Sequence, residues 1–99
     1  MLAHYGISAV RYNNRKTHIE RVRVHEITND NKASNPEDWA REDVVSTIDR
    51  KFTFVTLIKT SNGWKVGEYV RTIIVNGRKY IRTDANQVES DNLENLPEY

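Results

Sequence analysis

The sequence predicts an α+β fold of two layers, in which one main amphipathic helix packs on a mostly antiparallel sheet of about five strands. The expected order is β-β-α-β-β-β, with a short helical turn near the C-terminal end. Runs rich in β-branched and aromatic residues flank one stretch of helical spacing, and Asn76-Gly77 separates the last two runs. Since 99 residues suffice for one core, residues 1–99 should form a single domain.

Two strands are predicted before the helix. Residues 7–12 are rich in β-formers and are followed by a polar turn. In the next run, residues 18–27, Val22 and Val24 share one face, whereas Ile19 falls on the other. This change of phase predicts a bulge or a twisted, partly exposed strand.

The helix is predicted to begin at Asn35. Asparagine is a favoured N-cap residue, and Pro36 stands at the first helical position, where its missing N–H costs nothing. Apolar residues then follow at helical spacing: Trp39, Ala40, Val44, Val45 and Ile48. We therefore expect this helix to pack one face on the sheet.

Three strands are predicted after the helix. Residues 52–59 carry apolar groups on both faces, which is typical of a central strand. Residues 64–75 form a long strand in which Gly67 marks a bulge or bend. Trp39 and Trp64 are expected to close the two ends of the core.

The last two strands form the candidate binding surface. Asn76-Gly77 predicts a type I′ hairpin turn, which needs positive φ at both central residues and sets Arg71 opposite Arg82. One face then interleaves aromatic and basic side chains: Tyr69, Arg71, Arg78, Tyr80 and Arg82. Stacking rings beside guanidinium groups suit single-stranded nucleic acid.

The formal net charge of +1 conceals an uneven distribution. Residues 64–83 hold five basic residues and one acidic residue, whereas residues 84–99 hold five acidic residues and no basic one. The short link between the segments favours an intramolecular clasp over nucleic-acid binding. In that clasp Leu93 and Leu96 anchor the tail, within a helical turn over residues 92–96 that Asp91 caps. The turn would carry Asp84, Glu89, Asp91 and Glu94 towards the basic hairpin.

The C-terminal third carries a distinctive pattern. It consists of a glycine, an aromatic residue and Arg-Thr, then a polar loop and Asn-Leu-x-x-Leu-Pro with an aromatic end. The residues concerned are Gly77, Tyr80, Arg82, Thr83, Asn92, Leu93, Leu96, Pro97 and Tyr99. In this pattern the chain resembles a family of small, mostly bacterial proteins catalogued as domain of unknown function 3892. The resemblance implies no activity, cofactor or catalytic residue.

No catalytic, metal or cofactor site is predicted. The chain has no Cys, and His4, His18 and His25 lack the spacing of metal ligands. Neither a glycine-rich phosphate loop nor a nucleophile elbow is present. We interpret the chain as a non-catalytic binding or interaction module with a protein partner; the alternative is a nucleic-acid-binding domain that uses the hairpin face.

No membrane segment is predicted either. The longest apolar runs are far shorter than the roughly 18–20 residues of a spanning helix, and the first residues show no signal-peptide core. Together with the absence of Cys, this leads us to expect a cytoplasmic protein. An exposed sheet edge leaves two oligomeric states open, a monomer and a homodimer formed by strand pairing.

Overall fold

The computed structural model of the chain describes residues 3–15, 18–28, 32–83, 91–93 and 96–99. Strands account for 59% of these residues and helix for 11%, so the protein is mostly β and the predicted α+β class is wrong. The strands are β1 Tyr5–Tyr12, β2 Ile19–Glu26, β3 Glu37–Ala40, β4 Phe54–Thr60, β5 Gly63–Val75 and β6 Arg78–Arg82, and the helix is α1 Arg41–Asp49. All six strands form one mixed sheet in the order β3-β2-β1-β4-β5-β6.

The predicted helix start is wrong. The residues after Pro36 form β3, which pairs antiparallel with β2 from Glu37 opposite Val24 to Ala40 opposite Arg21. The helix begins only at Arg41, and its N-cap residue Ala40 makes no side-chain capping bond. Pairing with the edge of β2 supplies backbone partners that a free helix end lacks, and this tertiary gain outweighs the local capping preference.

The sheet is mixed because β4 enters beside β1 in the same direction. Tyr5 lies opposite Phe54 and Ile7 opposite Thr56, whereas the other strand pairs are antiparallel. The long crossover through β3 and α1 makes this parallel pairing sterically accessible. The central position predicted for the strand after the helix is confirmed, since β4 lies between β1 and β5.

Both predicted irregularities occur in the strands. The register between β1 and β2 shifts between Arg11 and Tyr12, which leaves Glu20 as the extra residue and allows Ile19 to be buried together with Val22. The register between β4 and β5 shifts around Gly67. Each shift bends its strand and increases the local twist of the sheet.

The main core lies on one face of the sheet. It contains side chains from five strands, α1 and the C-terminal segment, among them Ile7, Val22, Val44, Phe54 and Ile81. A smaller cluster of Ala3, Val55 and Leu57 is separate from it. Trp39 packs against the main core, but Trp64 is 39% exposed, so the expectation that both tryptophans close the core is wrong for Trp64.

The C-terminal segment is extended where the structure describes it, so the predicted helical turn is wrong for those residues. Asn92 forms a parallel bridge with Arg82, and its N–H donates to the carbonyl of Ile81 at 2.9 Å. Farther on, Glu98 forms a parallel bridge with Val10 of β1. Glu94 and Asn95, at the centre of the predicted turn, lie outside the described residues. The segment therefore joins β6 to β1.

The hairpin turn is confirmed. Asn76 has φ 53° and Gly77 has φ 79°, and the predicted register places Val75 opposite Arg78 and Arg71 opposite Arg82. Both turn residues thus occupy the left-handed region that a type I′ turn requires.

Replacing Gly77 with valine should therefore destabilise the protein by roughly 1–2 kcal/mol, the cost of a left-handed backbone for a residue with a branched Cβ. An added Cβ would meet nothing within 4 Å, so the effect comes from the backbone alone. The measurement is urea unfolding, with Gly77→Asn as the control because asparagine tolerates this conformation. Equal stability of Gly77→Val and the parent chain would contradict the turn type.

Candidate functional site

The structure divides the candidate binding face predicted for the hairpin. Tyr69, Arg71 and Arg78 are exposed, whereas Tyr80 and Arg82 are only 8% and 4% exposed. The outer edge of β6 is occupied at Arg82 by the C-terminal segment. The five side chains therefore do not form one accessible surface, which cross-strand pairing alone could not reveal.

Asp91 connects the C-terminal segment to three other parts of the fold. Its buried Oδ2 accepts hydrogen bonds from the backbone N–H of Ile19 and from Arg41 Nε, both at 2.7 Å. Its Oδ1 accepts from the N–H of Ile81 at 2.8 Å and from Arg41 Nη2 at 3.1 Å. The hydrogen bonds from Arg41 to Asp91 raise the pKa of Arg41. Asp91 thus acts as a buried counter-ion rather than as a helix cap.

The charge pairing differs from the predicted clasp. Asp91 pairs with Arg41 of α1 rather than with an arginine of the hairpin. The hairpin residue Lys79 pairs with Asp49 of α1 at 2.5 Å between Nζ and Oδ2. Residues Asp84, Glu89 and Glu94, which were expected to face the basic hairpin, lie outside the described residues.

Leu93 and Leu96, the predicted tail anchors, lie in the main core. They are 1% and 8% exposed and belong to the same cluster as Phe54 and Ile81. Fully burying a leucine side chain stabilises a fold by about 1.5–3 kcal/mol. The apolar contacts and the Asp91 hydrogen bonds together hold the C-terminal segment against the sheet.

A groove beside the small cluster is the clearest concave surface that sequence reasoning missed. Its volume is about 440 Å³, and Ile27, Ala33, Leu57, Trp64 and Val66 supply its apolar lining. We call it the Trp64 groove. Lys59 and Trp64 lie directly opposite each other on β4 and β5. The sequence signal that could have revealed this surface is an aromatic residue that alternates with valine along an exposed hairpin.

Buried polar groups fix the aromatic wall of the Trp64 groove from behind. The His25 ring centroid lies 4.9 Å from that of Trp64. His25 Nδ1 lies 2.7 Å from the carbonyl oxygen of Ser34, and Nε2 lies 2.7 Å from Ser8 Oγ. A carbonyl oxygen only accepts, so Nδ1 carries hydrogen, and in the neutral ring Nε2 accepts from the Ser8 hydroxyl. This arrangement fixes the imidazole against which Trp64 packs.

Cations and an amide surround the mouth of the Trp64 groove. Lys59 Nζ lies 4.8 Å from the centroid of the Trp64 ring, within cation–π distance. Lys32 and Asn62 belong to the groove lining, whereas Lys59 borders the groove through its contact with Trp64. The site therefore combines an aromatic wall and an apolar floor with positive charge at its rim.

The comparison with protein-family models gives one match, which covers residues 6–97 and is described as Protein of unknown function (DUF3892). The chain belongs to the DUF3892 family. The match extends from β1 to Pro97 and includes the C-terminal pattern except for Tyr99. No curated protein and no solved structure matches the chain.

The aromatic end of this DUF3892 chain lies against two arginines. Arg23 and Arg11 stand over the Tyr99 ring, with guanidinium carbons 4.4 and 5.5 Å from its centroid. The Tyr99 hydroxyl donates to Asp38 Oδ1 at 2.5 Å, and Arg21 pairs with the same carboxylate. Burial and this hydrogen bond raise the pKa of Tyr99 to about 12, while the Tyr99 hydroxyl and Arg21 lower the pKa of Asp38. The contacts attach the segment to β1, β2 and β3.

The part of this DUF3892 chain that the structure describes shows neither a metal cluster nor a spanning helix. No group of three or more His, Cys, Asp or Glu side chains in it could hold a metal ion. The described helix is also too short and too polar to cross a membrane.

Proposed function

We propose that this DUF3892 domain is a non-catalytic binding module whose site is the Trp64 groove. Its partner is a protein segment that presents an apolar side chain flanked by acidic residues. The observation that carries the proposal is the partly exposed Trp64 ring above an apolar floor with lysines at the rim. Tryptophan is among the residues enriched in binding hot spots.

Pre-organisation supports this assignment. His25 is buried, holds two hydrogen bonds and contacts the Trp64 ring, so the aromatic wall is already fixed before a partner arrives. A side chain that is already ordered loses less entropy on binding. The groove volume of about 440 Å³ lies within the range of about 300–1,000 Å³ for ligand sites.

The charges at the rim favour an acidic partner. Lys32 lines the groove, and Lys59 stands over the Trp64 ring. Positive charge around an apolar pocket speeds encounter with a negative segment and opposes binding of a basic one. The side-chain functional groups of the groove lining are a lysine amine, an amide and an indole, a set that suits recognition better than acid–base catalysis.

The test measures binding of a fluorescent peptide in which a phenylalanine is flanked on both sides by acidic residues. Trp64→Ala should weaken binding by roughly 30-fold, which corresponds to a hot-spot loss of about 2 kcal/mol. The matched control is Ile74→Ala, which removes another exposed apolar side chain away from the groove. Equal binding by the parent chain and Trp64→Ala would refute the groove as the site.

Two further probes address the alternatives. A peptide with lysines in place of the acidic residues should bind at least tenfold more weakly if the rim charges matter. A single-stranded oligonucleotide tests the nucleic-acid alternative, for which Tyr69, Arg71 and Arg78 are the exposed hairpin residues. Oligonucleotide binding that falls steeply with salt and is lost in Arg71→Ala would replace the groove proposal.

The location and the oligomeric state stay predictions. We propose a cytoplasmic protein, and the outer edge of β3 is where a second copy would pair, because the C-terminal segment occupies the outer edge of β6 at Arg82. Sizing in solution distinguishes a monomer from a homodimer.

A further inference from the structure

A second cavity lies beside the main core, where β4, β5 and the C-terminal segment meet. Its volume is about 280 Å³, and its lining includes the core leucines Leu93 and Leu96. Val66 borders both this cavity and the Trp64 groove. The other lining residues of the two sites are different. We call it the Thr83 cavity.

The Thr83 hydroxyl is the feature that points to a ligand. Thr83 lines the cavity and is 9% exposed, and its Oγ1 has no hydrogen-bond partner within the described part of the chain. A buried hydroxyl without a partner costs folding free energy, and native structures satisfy nearly all such groups. The hydroxyl is therefore available to a ligand that enters the cavity.

A second hydroxyl lies in the same lining. Thr56 is buried, and its Oγ1 accepts a hydrogen bond from the N–H of Glu68 at 3.0 Å. This bond uses the oxygen as an acceptor and leaves the hydroxyl hydrogen available for donation. Gly67 permits the close approach, because a Cβ at that position would lie 2.2 Å from Thr56 Oγ1. The interior of the cavity can thus both donate and accept hydrogen bonds.

The exposed part of the cavity carries one charge of each sign. Lys65 and Glu68 both line it and are both exposed. Ile58, opposite Lys65 on β4, adds apolar surface. The lining therefore combines one charge of each sign with apolar side chains and hydroxyl groups.

We propose that the Thr83 cavity binds a free α-amino acid whose side chain ends in an uncharged amide, such as glutamine. Its carboxylate pairs with Lys65 and its ammonium group with Glu68. The methylene groups contact Leu93 and Leu96, and the amide exchanges hydrogen bonds with Thr83 and Thr56. This site shares only Val66 with the Trp64 groove, so either proposal can fail alone.

The test is a titration of the full chain with L-glutamine, followed by amide chemical shifts and by the melting temperature. We expect shifts at Gly67, Thr83 and Leu93. Thr83→Val should weaken glutamine binding about tenfold, the effect of one buried hydrogen bond. L-norleucine, which lacks the amide, should bind the parent chain about tenfold more weakly than glutamine and should be insensitive to Thr83→Val.

Two controls separate a binding role from a structural one. Thr72→Val removes another threonine hydroxyl that does not line the cavity and should leave glutamine binding unchanged. Glu68→Gln changes only the exposed part of the cavity and should weaken glutamine binding even if Thr83→Val fails to fold. The proposal is overturned if glutamine causes no shift at millimolar concentration, or if both site variants bind it like the parent chain. It is also overturned if Thr83→Val destabilises the ligand-free chain and no probe binds, because Thr83 would then be satisfied by a buried water.

Discussion

Replacing Asp91 with alanine is expected to lower the free energy of unfolding by about 3–5 kcal/mol, the cost of breaking a buried ion pair from one side. The change leaves the Arg41 guanidinium without its counter-ion. It also removes the acceptor for the backbone N–H groups of Ile19 and Ile81. Both N–H groups are buried, so water cannot accept their hydrogen bonds in place of Asp91.

Urea unfolding monitored by tryptophan fluorescence measures this effect, and an exposed ion pair supplies the control. Asp49→Ala breaks the ion pair with Lys79. Both side chains of this pair are partly exposed, so the change should lower the free energy of unfolding by only about 0–1 kcal/mol. High salt should abolish the cost of Asp49→Ala and leave most of that of Asp91→Ala. Arg41→Met added to Asp91→Ala should recover part of the loss, because no unpaired charge remains. A cost below 1 kcal/mol for Asp91→Ala would contradict the role given to this carboxylate.

Features determined by neighbouring residues were predictable from the sequence. The Asn76-Gly77 turn fixes its own register, because few residues other than glycine and asparagine adopt the required φ. The central strand was recognisable because consecutive apolar residues need cover on both faces, as Phe54 and Val55 have. Gly67 marked a bulge for a related reason, since a side chain there would meet Thr56.

The fold class was not predictable in the same way, because it depends on pairing between distant residues. Asn35 and Pro36 carry valid helix-start signals, but residues 37–40 gain more by extending the sheet at the edge of β2. Likewise, nothing local to Phe54 specifies that it pairs in parallel with Tyr5. Local preferences are worth tenths of a kcal/mol to about 1 kcal/mol per residue, less than the burial and pairing that a sheet provides.

The candidate site was only partly predictable for a similar reason. Alternation along β5 and β6 placed Tyr69, Arg71 and Arg82 on one face, but it could not show that the C-terminal segment pairs with β6 at Arg82. Trp64 was assigned to the core because large aromatic residues are usually well buried, although burial depends on what the rest of the chain leaves uncovered. The Trp64 groove requires residues from β4, β5 and the stretch near Ala33.

Deleting the C-terminal segment from Asp91 onwards is expected to have a still larger effect and to prevent stable folding. The deletion removes the Asp91 hydrogen bonds and two core leucines at once. Each leucine alone should be worth about 2–5 kcal/mol when changed to alanine. Because small domains are stable by about 5–15 kcal/mol in total, the combined loss approaches or exceeds the whole stability.

The single-residue variants make this expectation measurable without unfolding the protein. Leu93→Ala should cost more than Leu96→Ala, since Leu93 is 1% exposed and Leu96 is 8% exposed. The exposed Ile74→Ala is the control and should change stability by no more than about 0.5 kcal/mol. The leucine effects should persist at high salt, because salt screens charges but does not weaken apolar burial. Hydrogen exchange of the Leu93 and Leu96 backbone amides tests the docking directly. Exchange as fast as in an unfolded peptide would show that the segment is not docked. Tyr80 and Arg82 would then be accessible together with the rest of the hairpin face.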